Sequence, residues 1–287
     1  MEQKHCLICS SADIRELKRF SKDFLLKCNA CGFIFCKKIP TTTELINHYK
    51  TYPRGGEISI ITVKRYNELL DVFESYRKTN NILDIGCGNG HFLEVAAKRG
   101  WNVYGTEFTD EAIDVCNKKN IKMNQGILNP ENYNTIEFDV ITSFEVIEHI
   151  NNPEIEIQNI KKLLRTKGLF YFTTPNFNSI SRFILQENWN VIEYPEHLSY
   201  YTAKTINCFL NNKGFEKIEL KTTGISIRRL QQGSGNMINL NNNPNRDEEL
   251  REKTESQPLF KIIKNIVNFI LNLFQIGDSL KGIYQKR

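Results

Sequence analysis

The run Ile82 to Phe92, ILDIGCGNGHF, constrains this chain more than any other stretch, because an apolar strand feeds three alternately spaced glycines at the mouth of a helix. Glycine lets a backbone turn tightly and come close to a ligand, and the helix that follows offers N–H groups with no intrahelical partner. That combination suits a nucleoside and an amino-acid carboxylate. A glycine-rich turn after a strand serves several cofactors, so its surroundings decide. Here Gly86, Gly88 and Gly90 alternate, Cys87 stands between the first two, and Asp84 sits inside the strand end. A second apolar strand, Trp101 to Thr106, ends at Glu107, about twenty residues on, followed by Phe108. A carboxylate there can accept both hydroxyl protons of a ribose. On these residues alone a nicotinamide enzyme and a Rossmann-like binding module stay open.

The stretch from Ile82 onward alternates strand and helix. Strands are expected at Ile82–Gly86, Asn102–Glu107, Lys122–Gly126, Phe138–Phe144 and Gly168–Thr174, with helices at Gly90–Arg99, Asp110–Lys119 and Pro153–Arg165. Such alternation implies an α/β fold with a parallel sheet covered on both faces. Beyond Pro175 comes an irregular insertion (175–201), a helix Thr202–Lys213 stopped by Gly214, and a strand Phe215–Thr223. The segment 41–79 opens with the cap-like TTTEL and reads as a helix, a loop with Tyr49, Tyr52 and Arg54, and a longer helix from Ile60; an ordinary amphipathic connector and a cover over a cofactor are its two readings.

The two strand ends together resemble motif I and the acidic loop of class I S-adenosylmethionine-dependent methyltransferases. That resemblance implies a Rossmann-like, seven-stranded, mostly parallel sheet with an antiparallel last strand, here Ser279 to Gln285. It also implies roles. Asp84 would orient the cofactor through its amino group or a bound water, Gly86, Cys87, Gly88 and Gly90 would admit its methionine portion, and Glu107 with Phe108 would grip the ribose. Gln125, Gly126 and Ile127 would lie beside the adenine, and Ser143, Phe144 and Glu145 would lie under the cofactor.

The fourth of these strands runs into SFEVIEHI. On a helical turn Glu145, Glu148 and His149 would face one way, at i, i+3 and i+4. The segment is similar to one in ubiquinone-biosynthesis O-methyltransferases and small-RNA 3′-end 2′-O-methyltransferases, where the two glutamates and the histidine hold a divalent ion with one further histidine. His197, in YPEHLSYY, is the candidate fourth ligand, and Mg²⁺ or Mn²⁺ the candidate ion. In a metal-free alternative, His149 or His197 is the general base, with Glu148 beside it. Tyr194, Tyr200 and Tyr201 either cover a sugar or aromatic ring or form core.

Cys6-x-x-Cys9 and Cys28-x-x-Cys31 form two close pairs about eighteen residues apart, the spacing of a structural zinc ribbon. Gly32 relieves the second knuckle, and Phe24, Leu25, Leu26, Phe33 and Phe35 would supply an apolar face. Four buried free cysteines are the alternative. Cys36, Cys116 and Cys208 read as small core residues. The expected division is a ribbon over 1–40, a helical cofactor-covering segment over 41–79, and a methyltransferase domain over 80–287.

A net charge of +5 spread along 287 residues gives little support for nucleic-acid binding, RNA included. MEQKHCLICSS has no apolar core of signal-peptide type, and no run of about 20 apolar residues exists, so a cytoplasmic location is expected. The C-terminal region reads as a loop at Gly233–Ser256 and an apolar helix within 258–276. Core packing, a homodimer face and a peripheral membrane contact are its three readings.

A four-cysteine ribbon ahead of such a core is similar to bacterial methyltransferases of sugar and surface-polysaccharide pathways. Deoxysugar C-methyltransferases among them carry a further C-terminal domain with no counterpart here. The expectation is therefore O-methylation of a saccharide, nucleotide- or lipid-linked. Two alternatives stand beside it: a quinone-type or other small-molecule O-methyltransferase with a divalent metal, and a non-catalytic cofactor-binding scaffold.

Overall fold

The computed structural model describes residues 2–41, 43–45, 58–226, 229–230 and 257–287. Tyr49, Tyr52, Arg54 and the whole of the Gly233–Ser256 loop expectation lie outside the described residues.

Seven strands form the main sheet. In chain order the parallel ones are β4 (Asn81–Ile85), β5 (Asn102–Glu107), β6 (Lys122–Gln125), β7 (Phe138–Phe144) and β8 (Leu164–Pro175), and two more, β10 (Phe215–Thr223) and β11 (Ser279–Lys286), complete the sheet. Their spatial order is β10-β11-β8-β7-β4-β5-β6, with β11 inserted antiparallel between β8 and β10. The order reverses between β4 and β7, and an open parallel sheet gathers ligands at such a switch point, outside the carboxyl ends of its strands. The antiparallel seventh strand agrees with the expectation.

Strands β4 and β7 lie mid-sheet and are almost wholly buried, which is why they read as continuous apolar runs rather than alternating ones. The covering helices are α1 (Ile60–Glu74), α2 (His91–Lys98), α3 (Asp110–Lys118), α4 (Pro153–Leu163), α5 (Ile180–Leu185), α6 (Ala203–Asn212) and α7 (Pro258–Leu273). Ser59 caps α1 by accepting from the Thr62 amide, and Val63, Tyr66, Leu70 and Phe73 line its inner side. Glu44 accepts from the Thr41 amide at 2.8 Å while Thr41 Oγ1 accepts from the Glu44 amide at 3.2 Å, the reciprocal cap that TTTEL anticipates. Helix α4 ends at Leu163, two residues before the expected Arg165, because Leu164 already pairs with Phe138 on β7.

A second, four-stranded antiparallel sheet has the order β1-β2-β3-β9, where β1 is Ile14–Glu16, β2 Leu25–Cys28, β3 Ile34–Cys36 and β9 Ser199–Tyr200. Its fourth strand comes from the insertion, which therefore carries α5 and β9 and is less irregular than expected. Phe33 and Phe35 are fully buried, and Phe33 packs on Tyr201 at 5.1 Å between ring centroids. Through these rings the small sheet shares one core with β4, β7, β8 and α6. Phe24 departs from the expected apolar face: it is 41% exposed and meets Tyr194 edge-on. Cys208 is exposed, which corrects its assignment to the core, whereas Cys36 and Cys116 are buried.

At the foot of β7 the Asp139 carboxylate is fully buried. Its Oδ2 accepts from the amides of Lys78, Thr79 and Asn80, each at 2.8 Å, and its Oδ1 pairs with the Arg165 guanidinium. Burial alone would raise this carboxyl, but the Arg165 charge and the three amides outweigh it and hold it below the ordinary range. The knot fixes the entry to β4 and the start of β8 at once. Removing one charge of a buried pair leaves the other unpaired, at about 3–5 kcal/mol. Asp139→Asn is therefore expected to lower the unfolding free energy by that order, read as a fall in the urea midpoint, and a midpoint within error of the parent would refute the role given to the knot.

Candidate active site and cofactor cleft

Each glycine of the loop has its own reason. Gly86, Gly88 and Gly90 all have left-handed φ, at +62°, +52° and +70°. A Cβ on Gly86 would meet Val146 Cγ2 at 2.8 Å, and one on Gly90 would meet Ile121 Cδ1 at 2.5 Å. At Gly88 nothing lies within 4 Å, so that position opens onto the cleft rather than onto packing. Gly126, after β6, is likewise left-handed and open.

Glu107, at the end of β5, stitches the two loops together: one carboxylate oxygen accepts from the Gly88 amide at 3.1 Å and the other from the Phe108 amide at 2.8 Å. Each oxygen keeps a second lone-pair direction for a ribose hydroxyl. Phe108 and Ile127 follow paired strand ends and are 55% and 68% exposed, apolar surface of the kind a purine ring covers. The Gln125 side-chain amide donates to Asp110 Oδ1 at 2.7 Å, so any contact it makes to an adenine falls to its backbone, as the absence of an acidic residue here implies. Cys87 departs from its expected place. Its thiol turns inward, 3.9 Å from both Cys116 Sγ and Met123 Sδ, so only its backbone faces the cleft.

Beneath the loop, Asp84 is buried and accepts from Thr142 Oγ1 at 2.7 Å. Burial pushes its carboxyl up to about 8, with the nearby Cys116 and Glu107 adding to the rise and the Thr142 hydroxyl opposing it. At neutral pH this acid is mostly protonated and stands ready for a cation. The Ser143 hydroxyl is buried with no hydrogen-bond partner among the described residues. Phe144 joins Tyr66 of α1, Phe92 and Tyr171 in an aromatic floor with centroids 5.0–5.8 Å apart. Tyr66 has no place in the sequence reading, although its spacing from Val63, Leu70 and Phe73 marks it as inward-facing. Burial, with Asp84 adding, pushes its phenol up to about 12.

The second half of the site follows β7. No helix forms there: Glu145 has φ +52°, its amide donates to the Thr173 carbonyl at 3.0 Å, and the chain turns. The expected helical face of Glu145, Glu148 and His149 is therefore replaced by a different grouping. Carboxylate and ring atoms of Glu148, His149 and His197 lie within 4.8 Å of one another, and Glu145 lies outside that set.

Both rings are oriented by backbone carbonyls. His149 Nδ1 bonds to the Glu196 carbonyl at 2.8 Å, and His197 Nδ1 to the Val191 carbonyl. A carbonyl only accepts, so each Nδ1 is the donating nitrogen, and each ring turns its Nε2 edge away from that carbonyl. The ring centroids are 4.7 Å apart. Glu148 is 2% exposed and accepts from Thr174 Oγ1 at 3.0 Å, and burial, with Glu145 adding, pushes its carboxyl well above the ordinary range. Tyr200 and Tyr201 are buried and form core, and Tyr194 packs against Phe24 and Lys38.

The four ribbon thiols also converge. All lie within 4.8 Å of one another, with Cys6 Sγ to Cys31 Sγ at 3.5 Å and Cys9 Sγ to Cys28 Sγ at 3.6 Å.

A family of methyltransferase domains matches residues 62–220, more than half of the chain and every element of the cleft just described. The chain belongs to that family. The chain is 35% identical over 106 residues to a ubiquinone biosynthesis O-methyltransferase of Actinobacillus pleuropneumoniae serotype 7, covering 33% of this chain and 45% of the relative. It is 32% identical over 108 residues to one of Coxiella burnetii, covering 35% and 46%. It thus spans less than half the length of these curated relatives. A solved SAM dependent methyltransferase from Archaeoglobus fulgidus shares the fold, with a TM-score of 0.51 at 16% identity over 86% of this chain and all of that one. No helix among the described residues is long and apolar enough to cross a membrane.

S-adenosylmethionine suits the cleft. The orphan Ser143 hydroxyl, the open faces of Gly88 and Gly126, and the poised Asp84 carboxyl are groups that a ligand carrying a cation, hydroxyls and a purine would satisfy. If the cofactor's ammonium draws the proton off Asp84, binding at pH 7 should release close to one proton, and affinity should rise with pH until about 8. Titration calorimetry in buffers of different ionisation enthalpy reads this directly. Proton release that survives in Asp84→Asn would place the titrating group elsewhere.

Proposed function

We propose that this protein is an S-adenosylmethionine-dependent O-methyltransferase acting on a small acceptor with vicinal hydroxyls, and that Glu148, His149 and His197 hold a divalent cation that takes up the reacting oxygen. The observation that carries this reading is the pair of imidazoles that Nδ1 bonds to the carbonyls of Glu196 and Val191 hold within 4.8 Å of a buried carboxyl. When bound, the cofactor supplies an electrophilic methyl group on a sulfonium.

The chain does the rest. Gly88 and Glu107 hold the nucleoside end, Asp84 balances the cationic end, and Phe144 with its aromatic neighbours forms an apolar floor. Glu148, His149 and His197 would hold a cation that lowers the pKa of the acceptor hydroxyl, or, without one, an imidazole takes the hydroxyl proton as general base. Two nitrogens and one carboxylate suit Mn²⁺ better than Mg²⁺, which prefers oxygen ligands.

The relatives named for ubiquinone biosynthesis support an aromatic diol. A sugar diol, on a nucleotide- or lipid-linked saccharide of surface glycan biosynthesis, is the second reading, favoured by the cysteine ribbon ahead of the core. We further infer that the ribbon holds structural zinc. The two thiol separations approach the roughly 3.8 Å tetrahedral edge that Zn–S bonds of about 2.3 Å require.

Transfer of labelled methyl to catechols and to a sugar panel, with and without EDTA and Mn²⁺, tests the reading. His149→Ala should lower kcat by about 10²–10⁴-fold and leave cofactor affinity within about twofold. Equal losses in both would make His149 a structural residue. Elemental analysis should find about one zinc per chain, lost in Cys28→Ser. A folded wild-type protein free of zinc would refute the ribbon assignment.

A further inference from the structure

Helix α7 is built inside out. At about 100° per residue its polar positions, Lys261, Lys264, Asn265, Asn268 and Asn272, share one side; Asn268 and Asn272 dock that side on the protein, while Lys261 and Asn265 stay exposed. Asn268 Oδ1 accepts from the Gly224 amide and Asn272 Oδ1 from the Thr222 amide, both at 2.9 Å, and Thr222 Oγ1 donates to the Leu271 carbonyl at 2.8 Å. Every large apolar side chain of the helix except Leu271 is 40–69% exposed. The core packing considered for this helix is therefore corrected: only Leu271 is buried.

We propose that this face lies on a membrane surface containing anionic lipid, and that it brings the active site to a lipid-carried acceptor. The second half of the proposal rests on the O-methyltransferase reading above. Three observations choose the bilayer. The exposed apolar arc spans about 180° of the helix, wider than the seam by which two helices pair, so a second copy would leave its flanks wet. A half-cylinder about 24 Å long sinks into a lipid interface whole.

Charge agrees. The helix has no acidic residue, and the cleft beside it is lined by Lys64, Arg65, Lys261 and Lys264 against the single carboxylate of Glu68. Such a flank is complementary to anionic headgroups.

Position agrees as well. The turn that ends α7 is tied to the exit of β8, where Asn176 Nδ2 donates to the carbonyls of Gln275 and Gly277 at 3.0 and 2.8 Å. Two residues earlier, Thr174 donates to Glu148. A helix resting on lipid therefore sets the carboxyl edge of the sheet, with its Glu148, His149 and His197, beside the headgroups.

Flotation of the full-length protein with vesicles tests this. Binding is expected with phosphatidylglycerol mixed into phosphatidylcholine, weaker by about tenfold with phosphatidylcholine alone, and weakened by salt. Ile266→Glu/Phe269→Glu, at exposed positions, should abolish flotation, while Lys261→Glu should weaken it on anionic vesicles only. Both should bind S-adenosylmethionine as the parent does, which shows that they fold. No flotation of the parent, or undiminished flotation of the double variant, would overturn the proposal. So would a dimer in light scattering that the double variant dissociates, with no vesicle binding. Cofactor binding and methyl transfer to a water-soluble diol are read separately, so failure on vesicles leaves the O-methyltransferase reading standing, and the reverse.

Discussion

The backbone carbonyl of Glu148 accepts from the amides of Leu198 and Ser199, at 2.8 and 2.9 Å, while the Leu198 carbonyl accepts from the Cys36 amide at 2.8 Å. Those three bonds join the cysteine ribbon, the insertion and the loop after β7 at one point, directly beneath the Glu148, His149 and His197 cluster. Neither histidine would face the carboxyl without them, because β9 sets where His197 leaves the small sheet. The ribbon is thus a wall of the site rather than an appendage. Its four thiols converge beside the β2–β3 turn of a short sheet whose far edge, β9, follows His197 directly, so whatever stiffens the thiols stiffens the strand that positions this histidine.

Two buried carboxyls on neighbouring central strands show how the sheet separates stability from chemistry. Asp139, at the amino end of β7, is met by a guanidinium and three amides, so its charge is neutralised where it sits. Asp84, at the carboxyl end of β4, is given a single hydroxyl as hydrogen-bond donor and is left short of positive charge. Burial without a cation raises a carboxyl, and burial beside one lowers it. One end of the sheet is electrostatically complete without a ligand, and the other becomes complete only when a cationic ligand arrives. Such a cleft is selective for charge before any contact to the nucleoside is made.

Much of the core was legible because its signals are local. Continuous burial makes β4 and β7 read as unbroken apolar runs, and left-handed φ at Gly86, Gly88 and Gly90 demands the residue found there. What escaped was set by tertiary contacts. The fragment after β7 has helical spacing, yet the Glu145 amide pairs with Thr173 and the chain turns instead, which separates Glu145 from Glu148 and His149. The Gln125 side chain is taken by Asp110, at the start of the helix that precedes β6, a pairing that no local signal shows. Tyr66 was visible only as an inward heptad position, since nothing in its own neighbourhood says that Asp84 lies on the other side.

Helix α7 shows the same limit in its sharpest form. Periodicity tells that a helix has an apolar and a polar side, and the usual inference sends the apolar side inward because a core is normally all there is to cover it. The sign of that inference rests on where hydrogen-bond partners are. Here β10 ends with the amides of Thr222 and Gly224 pointing outward, and Asn268 and Asn272 are spaced to satisfy them at i and i+4. Unpaired backbone donors at a sheet end cost more than a polar helix face gains from water, so they choose which side docks. The apolar side is then presented outward as a consequence of satisfying the sheet, and its exposure belongs to the fold as firmly as the glycine loop does.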